Sequence, residues 1–447
     1  MRSRALLAIA TALVLSCGGV SSPTSPGGGA SGRSTGSSSG TTDCTTVGQV
    51  GFVRDVLQSW YYWDDRLPSP DLAGFSSPEA YLDVVRYRAV DSTFSYITSK
   101  AASDGFYSGS QFVGFGLSYE ASSPTELRLV QAFPGSPAAS AGLDRGDTLL
   151  AIGGREAADL LASGDIGTIF GPDQVGYELD FAWRSRQGGE RTARLAKALV
   201  TIPTVSPTAV IDSGGRRVGY VHLRNFVEPS VAALDTAFAQ LREAGADELV
   251  LDLRYNGGGL VSVAQHLAGL VGGTSTAGQV FVQFTHNDKQ SSRNTAYRFE
   301  SLPQALGVRR LVVITTHATA SASEAIVNGL RPYMDVRTVG DTTYGKPVGQ
   351  YGFDFCDKVL YPVAFLVTNA YGQADYFGGI SADCAAPDDL EHPLASPEEA
   401  SLSVALGVLR TGHCSGPAAV AAAVGRRRRA GLVLPPRGGW RLMLNAW

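Results

Sequence analysis

The sequence predicts a multidomain chain of mixed α+β and α/β class: a helical N-terminal domain, then a β-rich module, then a larger unit of alternating strands and helices. Three observations predict it. Apolar residues near the start recur at helical spacing, short β-branched runs between Gly and Pro turns follow, and from Val218 onward strand-like runs interleave with helical ones. With 447 residues, 44% hydrophobic and 17% charged, the chain can bury a substantial core and divide into several domains. A formal net charge of −4 provides no basic footprint for a polyanion, which argues against a nucleic acid partner.

The first 17 residues carry Arg2 and Arg4, an apolar stretch and then Ser16-Cys17, the layout of an export signal. No segment reaches the roughly 18 uninterrupted apolar residues of a membrane-spanning helix. The ending Val14-Leu15-Ser16-Cys17 resembles a bacterial lipobox, which implies lipidation at Cys17 and a chain held by a lipid anchor in the cell envelope, facing the periplasm. Residues 18–43 are almost wholly Gly, Ser, Thr and Pro, too polar to offset the cost of ordering, and read as a flexible tether.

Residues 44–110 form the helical domain. Phe52, Val53, Val56, Leu57, Trp60 and Tyr61 mark one amphipathic helix, and Ser77-Pro78-Glu79 places an N-cap and a first-turn proline at the start of another. Residues 111–200 hold short strand-like runs at 127–130, 148–152, 179–183 and 193–200. Residues 201–414 carry strand-like runs at 218–223, 249–253 and 311–315, and helical ones at 231–244, 260–270 and 323–330. That alternation predicts a largely parallel sheet. Residues 415–447, with Arg426 to Arg429 and Pro435-Pro436, read as a disordered tail.

Cys44, Cys356, Cys384 and Cys414 form an even set in an exported chain, so disulfides are permitted. The pairing expected is Cys356 with Cys384 and Cys44 with Cys414. No cysteine or histidine cluster has zinc spacing, so neither a metal nor another cofactor is expected.

Ser321 lies where the run 311–315 gives way to a helix. A helix start offers unpaired backbone N–H groups and a partial positive charge, both suited to an oxyanion. The string Ser321-Ala322-Ser323-Glu324 is also the pattern of a capping box, which starts many helices without chemistry. The segment Asp252-Leu253-Arg254-Tyr255-Asn256-Gly257-Gly258-Gly259 ends a buried run in three glycines that let backbone approach a substrate closely. Lys346 is one of five lysines beside 32 arginines, and a buried lysine, unlike arginine, can give up its proton. His222 and His317 have no spaced Asp partner that would complete a Ser/His/Asp set.

Taken together, Ser321 to Glu324, a lysine 25 residues further on, Gln350 four residues past it and Asp252 to Gly259 resemble the motifs of the C-terminal processing (tail-specific) serine peptidases. Gly379-Ile380-Ser381-Ala382-Asp383 resembles a further motif, with Ala382 in place of proline, and Pro347 stands where many relatives have glycine. The resemblance covers residues 215–412. It implies a crotonase-like ββα catalytic domain in which Ser321 attacks the scissile carbonyl and Lys346 acts as base. Gln350 orients the lysine, Gly258 and Ala322 supply oxyanion N–H groups, and Glu324 and Thr343 support them. A lysine brought from about 10.4 to near 7 costs ~4 kcal/mol, within what an apolar pocket can impose.

Val113 to Leu117 and Gly135 to Leu149 resemble a PDZ domain of bacterial proteases. That resemblance implies that Gly114, Phe115, Gly116 and Leu117 receive a peptide's C-terminal carboxylate, with the adjoining strand edge accepting the peptide. The expected substrates are polypeptides with flexible C-terminal tails. Two other classes fit part of the pattern: a non-catalytic PDZ-containing scaffold of the envelope, and a crotonase-like acyl-CoA enzyme. The second leaves the lysine spacing unexplained.

Overall fold

The computed structural model describes residues 43–414. The expected leader, lipid attachment at Cys17, most of the tether and the C-terminal tail lie outside the described residues. Within them, no helix is long and apolar enough to cross a membrane.

The helix Thr46–Trp60 buries Val50, Val53, Val56 and Leu57, one stripe at helical spacing. Ser77 caps Pro78–Val85 by accepting the Ala80 N–H at 3.1 Å, and Pro78 occupies a first-turn position where no donor is lost. This helical segment shares its core with the larger unit: Val50, Leu57 and Tyr81 pack with Val348, Phe353, Leu360 and Val363. The strand Tyr96–Ser99 adds itself antiparallel to Lys358–Tyr361, which pairs in turn with Phe353–Phe355.

Residues 111–201 fold around a separate core that includes Phe115, Leu129, Leu149, Leu160 and Trp183. Five strands run in the order Leu117–Ser123, Glu126–Ala132, Thr148–Ile152, Glu178–Arg184, Glu190–Ala196. The pair Gln111–Gly114 and Ala198–Thr201 closes the module at its neck.

The larger unit centres on six strands in the order Val205–Ser213, Arg216–Leu223, Glu248–Asp252, Arg310–Thr315, Asp335–Gly340, Cys384–Ala385. The first pair is antiparallel and the rest are parallel. Side chains alternate across this sheet. Leu249, Leu251, Leu311 and Val313 pack with residues of helices Ser230–Glu243, Val261–Gly272 and Ala322–Leu330, while Val250, Val312 and Ile314 pack with the helix Ala400–Thr411. A second, antiparallel sheet runs Thr295–Arg298, Val280–His286, Val363–Thr368, Val348–Gln350.

The disulfides are Cys44–Cys356 and Cys384–Cys414, which corrects the expected pairing. Phe355, beside Cys356, stacks on Phe52 of the first helix, so the turn at Cys356 lies against the start of the helical segment and Cys44. Cys384 stands on the edge strand beside the last helix, whose end leads directly to Cys414.

Candidate active site

Ser321 stands between the central strand Arg310–Thr315 and the helix Ala322–Leu330, with φ +56° and ψ −113°. A side chain held there costs on the order of 1–3 kcal/mol, so the surroundings must impose it. They do so through hydrogen bonds to the glycine-ended motif. Thr319 Oγ1 donates to Leu253 O at 2.8 Å, Ala320 N to Asn256 O at 3.1 Å and Ser323 Oγ to the same oxygen at 2.9 Å. A sharp strand-to-helix turn of this kind exposes the hydroxyl and points the first N–H groups of the helix to the same side.

Glu324 does more than cap the helix. Its fully buried carboxylate accepts from Ser321 N at 2.8 Å, Thr343 Oγ1 at 2.5 Å, Gly345 N at 2.7 Å and Lys346 N at 2.8 Å. Burial pushes this carboxyl up, and the four donors oppose the rise by holding the ionised form. The consequence is mechanical: one side chain ties the Ser321 turn to the loop that carries Lys346.

Ser321, Ala322, Lys346 and Gln350 line one cavity, together with Gly259, Tyr107, Tyr361 and the apolar side chains of Val261, Phe365 and Val367. Lys346 is buried and its Nζ donates to Gln350 Oε1 at 2.6 Å. Burial pulls the amine down to about 8, against the charges of Asp91 and Glu324, which favour the protonated form. Gln350 Nε2 donates to Phe94 O at 2.6 Å and Tyr361 O at 2.8 Å. An amide nitrogen between two carbonyls leaves its oxygen for the lysine, so the orientation of Gln350 follows from chemistry alone.

Gly258 does not have the geometry expected of an oxyanion donor. Its N–H donates to Asn256 Oδ1 at 2.9 Å and its carbonyl accepts from Phe226 N at 3.1 Å. It is instead a residue of close approach, with φ +100° and an absent Cβ that would fall 2.9 Å from both Ser321 Cβ and Ala322 N. Gly259, one residue on, lines the cavity.

The four residues expected to receive a peptide terminus lie far from Ser321 in the chain, between the neck strand ending at Gly114 and the strand Leu117–Ser123. The side chains of Phe115 and Leu117 are wholly buried in the module's own core. They are therefore packing residues, and any peptide contact falls to the backbone. His222 is buried in its strand with Nδ1 2.7 Å from Ser206 O, and neither it nor His317 lines the Ser321 cavity. Among the described residues no cluster of three or more His, Cys, Asp or Glu side chains is arranged to hold a metal ion.

Sequence reasoning missed Phe94, Tyr107, Tyr361 and Gly259. Gly259 had a signal, as the last of the three glycines. The other three had none: Tyr107 and Tyr361 reach the cavity, and Phe94 reaches Gln350 and Lys346, from the helical segment and from a hairpin with no motif of their own.

A strained serine at a helix start and a buried lysine line the same cavity, and similarity to known proteins makes this chain a serine-type peptidase. Residues 217–384 match the model of Peptidase family S41, and residues 48–96 match the Peptidase S41 N-terminal domain. Over these two segments, a little under half of the chain, the protein is similar to peptidase family S41. It is 29% identical over 307 residues to the carboxyl-terminal-processing protease of Synechocystis sp., covering 67% of this chain and 69% of that one. It is 23% identical to the carboxy-terminal processing protease CtpA of Bacillus subtilis, covering 72% and 65%. Against a second carboxyl-terminal-processing protease, from Picosynechococcus sp., the match spans only 53% of the relative. The fold is that of a Bacteroides fragilis structure assigned to the S41 proteases, with TM-score 0.64 and 24% identity over 80% of this chain and 97% of that one.

Proposed function

We propose that this chain is an exported, lipid-anchored endopeptidase that cuts polypeptides at or near flexible C-terminal tails through an acyl-enzyme on Ser321. The observation that carries the reading is the Lys346 amine: buried, lowered to about 8 and held by Gln350 in the cavity that Ser321 lines. The neutral amine takes the Ser321 hydroxyl proton as Oγ attacks the scissile carbonyl, and returns it to the leaving amine. Water then attacks the ester, with Lys346 again as base. The developing oxyanion accepts from the N–H of Ala322 and from that of Gly259, which takes the place expected of Gly258. Glu324 and Thr343 keep the two loops in register. The apolar wall of Val261, Phe365 and Val367 suits an uncharged side chain next to the scissile bond.

The 111–200 module, read as PDZ-like, holds the substrate's terminus by backbone N–H groups around Gly114 to Leu117 and by the edge strand Leu117–Ser123. The test is a folded reporter carrying an unstructured apolar tail, compared with the same reporter with its terminal carboxylate amidated. Purified protein is expected to shorten the free-tailed reporter and to act more slowly on the amidated one. No cleavage of either by folded protein would favour the peptide-binding scaffold, and turnover of an acyl-CoA would favour the crotonase-like alternative.

A further inference from the structure

Five residues of the helical segment, 91–95, reach across to the lysine that the proposed mechanism uses as base. Asp91 is wholly buried, accepts from Tyr61 Oη at 2.9 Å and from Ser95 N at 2.9 Å, and also takes the Ser95 hydroxyl. Ser95 Oγ accepts in turn from Val363 N at 2.9 Å, and its carbonyl accepts from Arg86 at 2.9 Å. The turn so fixed presents the Phe94 carbonyl to Gln350 Nε2 at 2.6 Å and the Phe94 ring to Lys346 Nζ at 5.8 Å from its centroid. Thr93 Oγ1 lies 2.7 Å from Tyr344 Oη, two residues before the lysine. The lysine's orienting amide is thus held by the Tyr361 carbonyl and by a carbonyl 256 positions away, in a turn that a buried carboxylate helps to fix.

We propose that Asp91 is a positioning residue for the reaction: it clamps the 91–95 turn so that the Phe94 carbonyl orients Gln350 and, through it, the Lys346 amine. A neutral amine can act as base only if its lone pair faces the serine. Donating one N–H to a fixed Gln350 oxygen turns the lone pair away from that oxygen. If the turn slackens, Gln350 can rotate and the amine loses its heading. The proposal rests on the reading of Lys346 as base, but it can fail while that reading stands.

The charged and titratable groups around this locus are few. Asp91 and Glu324 face Lys346 and both favour its charged form. Tyr61, Tyr344 and Arg86 face Asp91, and Tyr107, Tyr361, Tyr376 and Asp354 line the cavity with the lysine. Removing the Asp91 charge therefore lets the amine lose its proton at lower pH, while loosening the turn slows turnover.

The experiment compares wild type, Asp91→Asn and Ser95→Ala in tail cleavage across pH, with thermal unfolding to establish folding. Asp91→Asn is expected to lower kcat by about 10–100-fold with KM nearly unchanged, and to move the acid limb to lower pH. Ser95→Ala breaks the same clamp but keeps the carboxylate, so kcat falls and the limb stays in place. Activity of folded Asp91→Asn within about twofold of wild type, with an unmoved limb, overturns the proposal. If Asp91→Asn does not fold, Ser95→Ala decides: a lowered kcat at unchanged KM supports the clamp, and an unchanged kcat overturns it. An inactive wild type would strike at the peptidase mechanism instead, which keeps the two failures distinct.

Discussion

Replacing Ser321 by alanine is expected to remove peptidase turnover, by on the order of 10⁶-fold, while leaving substrate binding in place. The change deletes one oxygen at a position whose backbone is already set by Thr319, Asn256 and Glu324, so the fold has no reason to shift. Two measurements check it. Steady-state cleavage of a tailed reporter falls to background, and mass spectrometry of quenched reactions shows an acyl adduct on wild type alone. Residual turnover within tenfold of wild type would remove Ser321 from the chemistry and reduce the Ser321 turn to a capped helix start.

Lys346→Ala and Lys346→Arg are expected to lower turnover by roughly 10²–10⁴-fold, the contribution of a positioned general base and a smaller loss than that of the serine. The arginine variant is the sharper of the two. It keeps a positive charge and a comparable length but cannot give up its proton, so it separates basicity from electrostatics. Wild-type kcat/KM should also carry the lysine's signature in its pH dependence. The protonated amine is inactive and burial lowers its pKa to about 8, so activity rises with pH through that value and falls about tenfold per unit below it. A flat profile between pH 6 and 9, a range chosen around that value of about 8, would falsify the lysine's role as base.

The residues proposed for the chemistry were legible because each belongs to a short contiguous string. Asp252 to Gly259, Ser321 to Glu324 and Lys346 to Gln350 each state residue types at fixed offsets, and backbone geometry over a few positions turns those offsets into a glycine turn, a helix start and a strand. Gly258 shows where that legibility stops. Its need to be glycine could be read, but whether its N–H faced the substrate or the Asn256 side chain depended on a turn in which Tyr255 takes φ +63°. The disulfides were opaque for a related reason. Four cysteines allow three pairings, and the choice between them depends on which distant segments pack together.

The sequence by itself determined the alternation that sends Leu251 and Val250 to opposite faces of the central sheet, the stripe that buries Val53 and Leu57, and the identities of the serine, lysine and glutamine. These depend on nearest neighbours and on the fixed periods of strand and helix, which a linear string contains. Only the tertiary structure decided that Lys346 titrates near 8, that Gln350 turns its oxygen toward it and that a carbonyl of the helical segment holds that glutamine. Desolvation and electrostatic field are properties of the volume around an atom, and most of that volume is filled by residues far away in the chain.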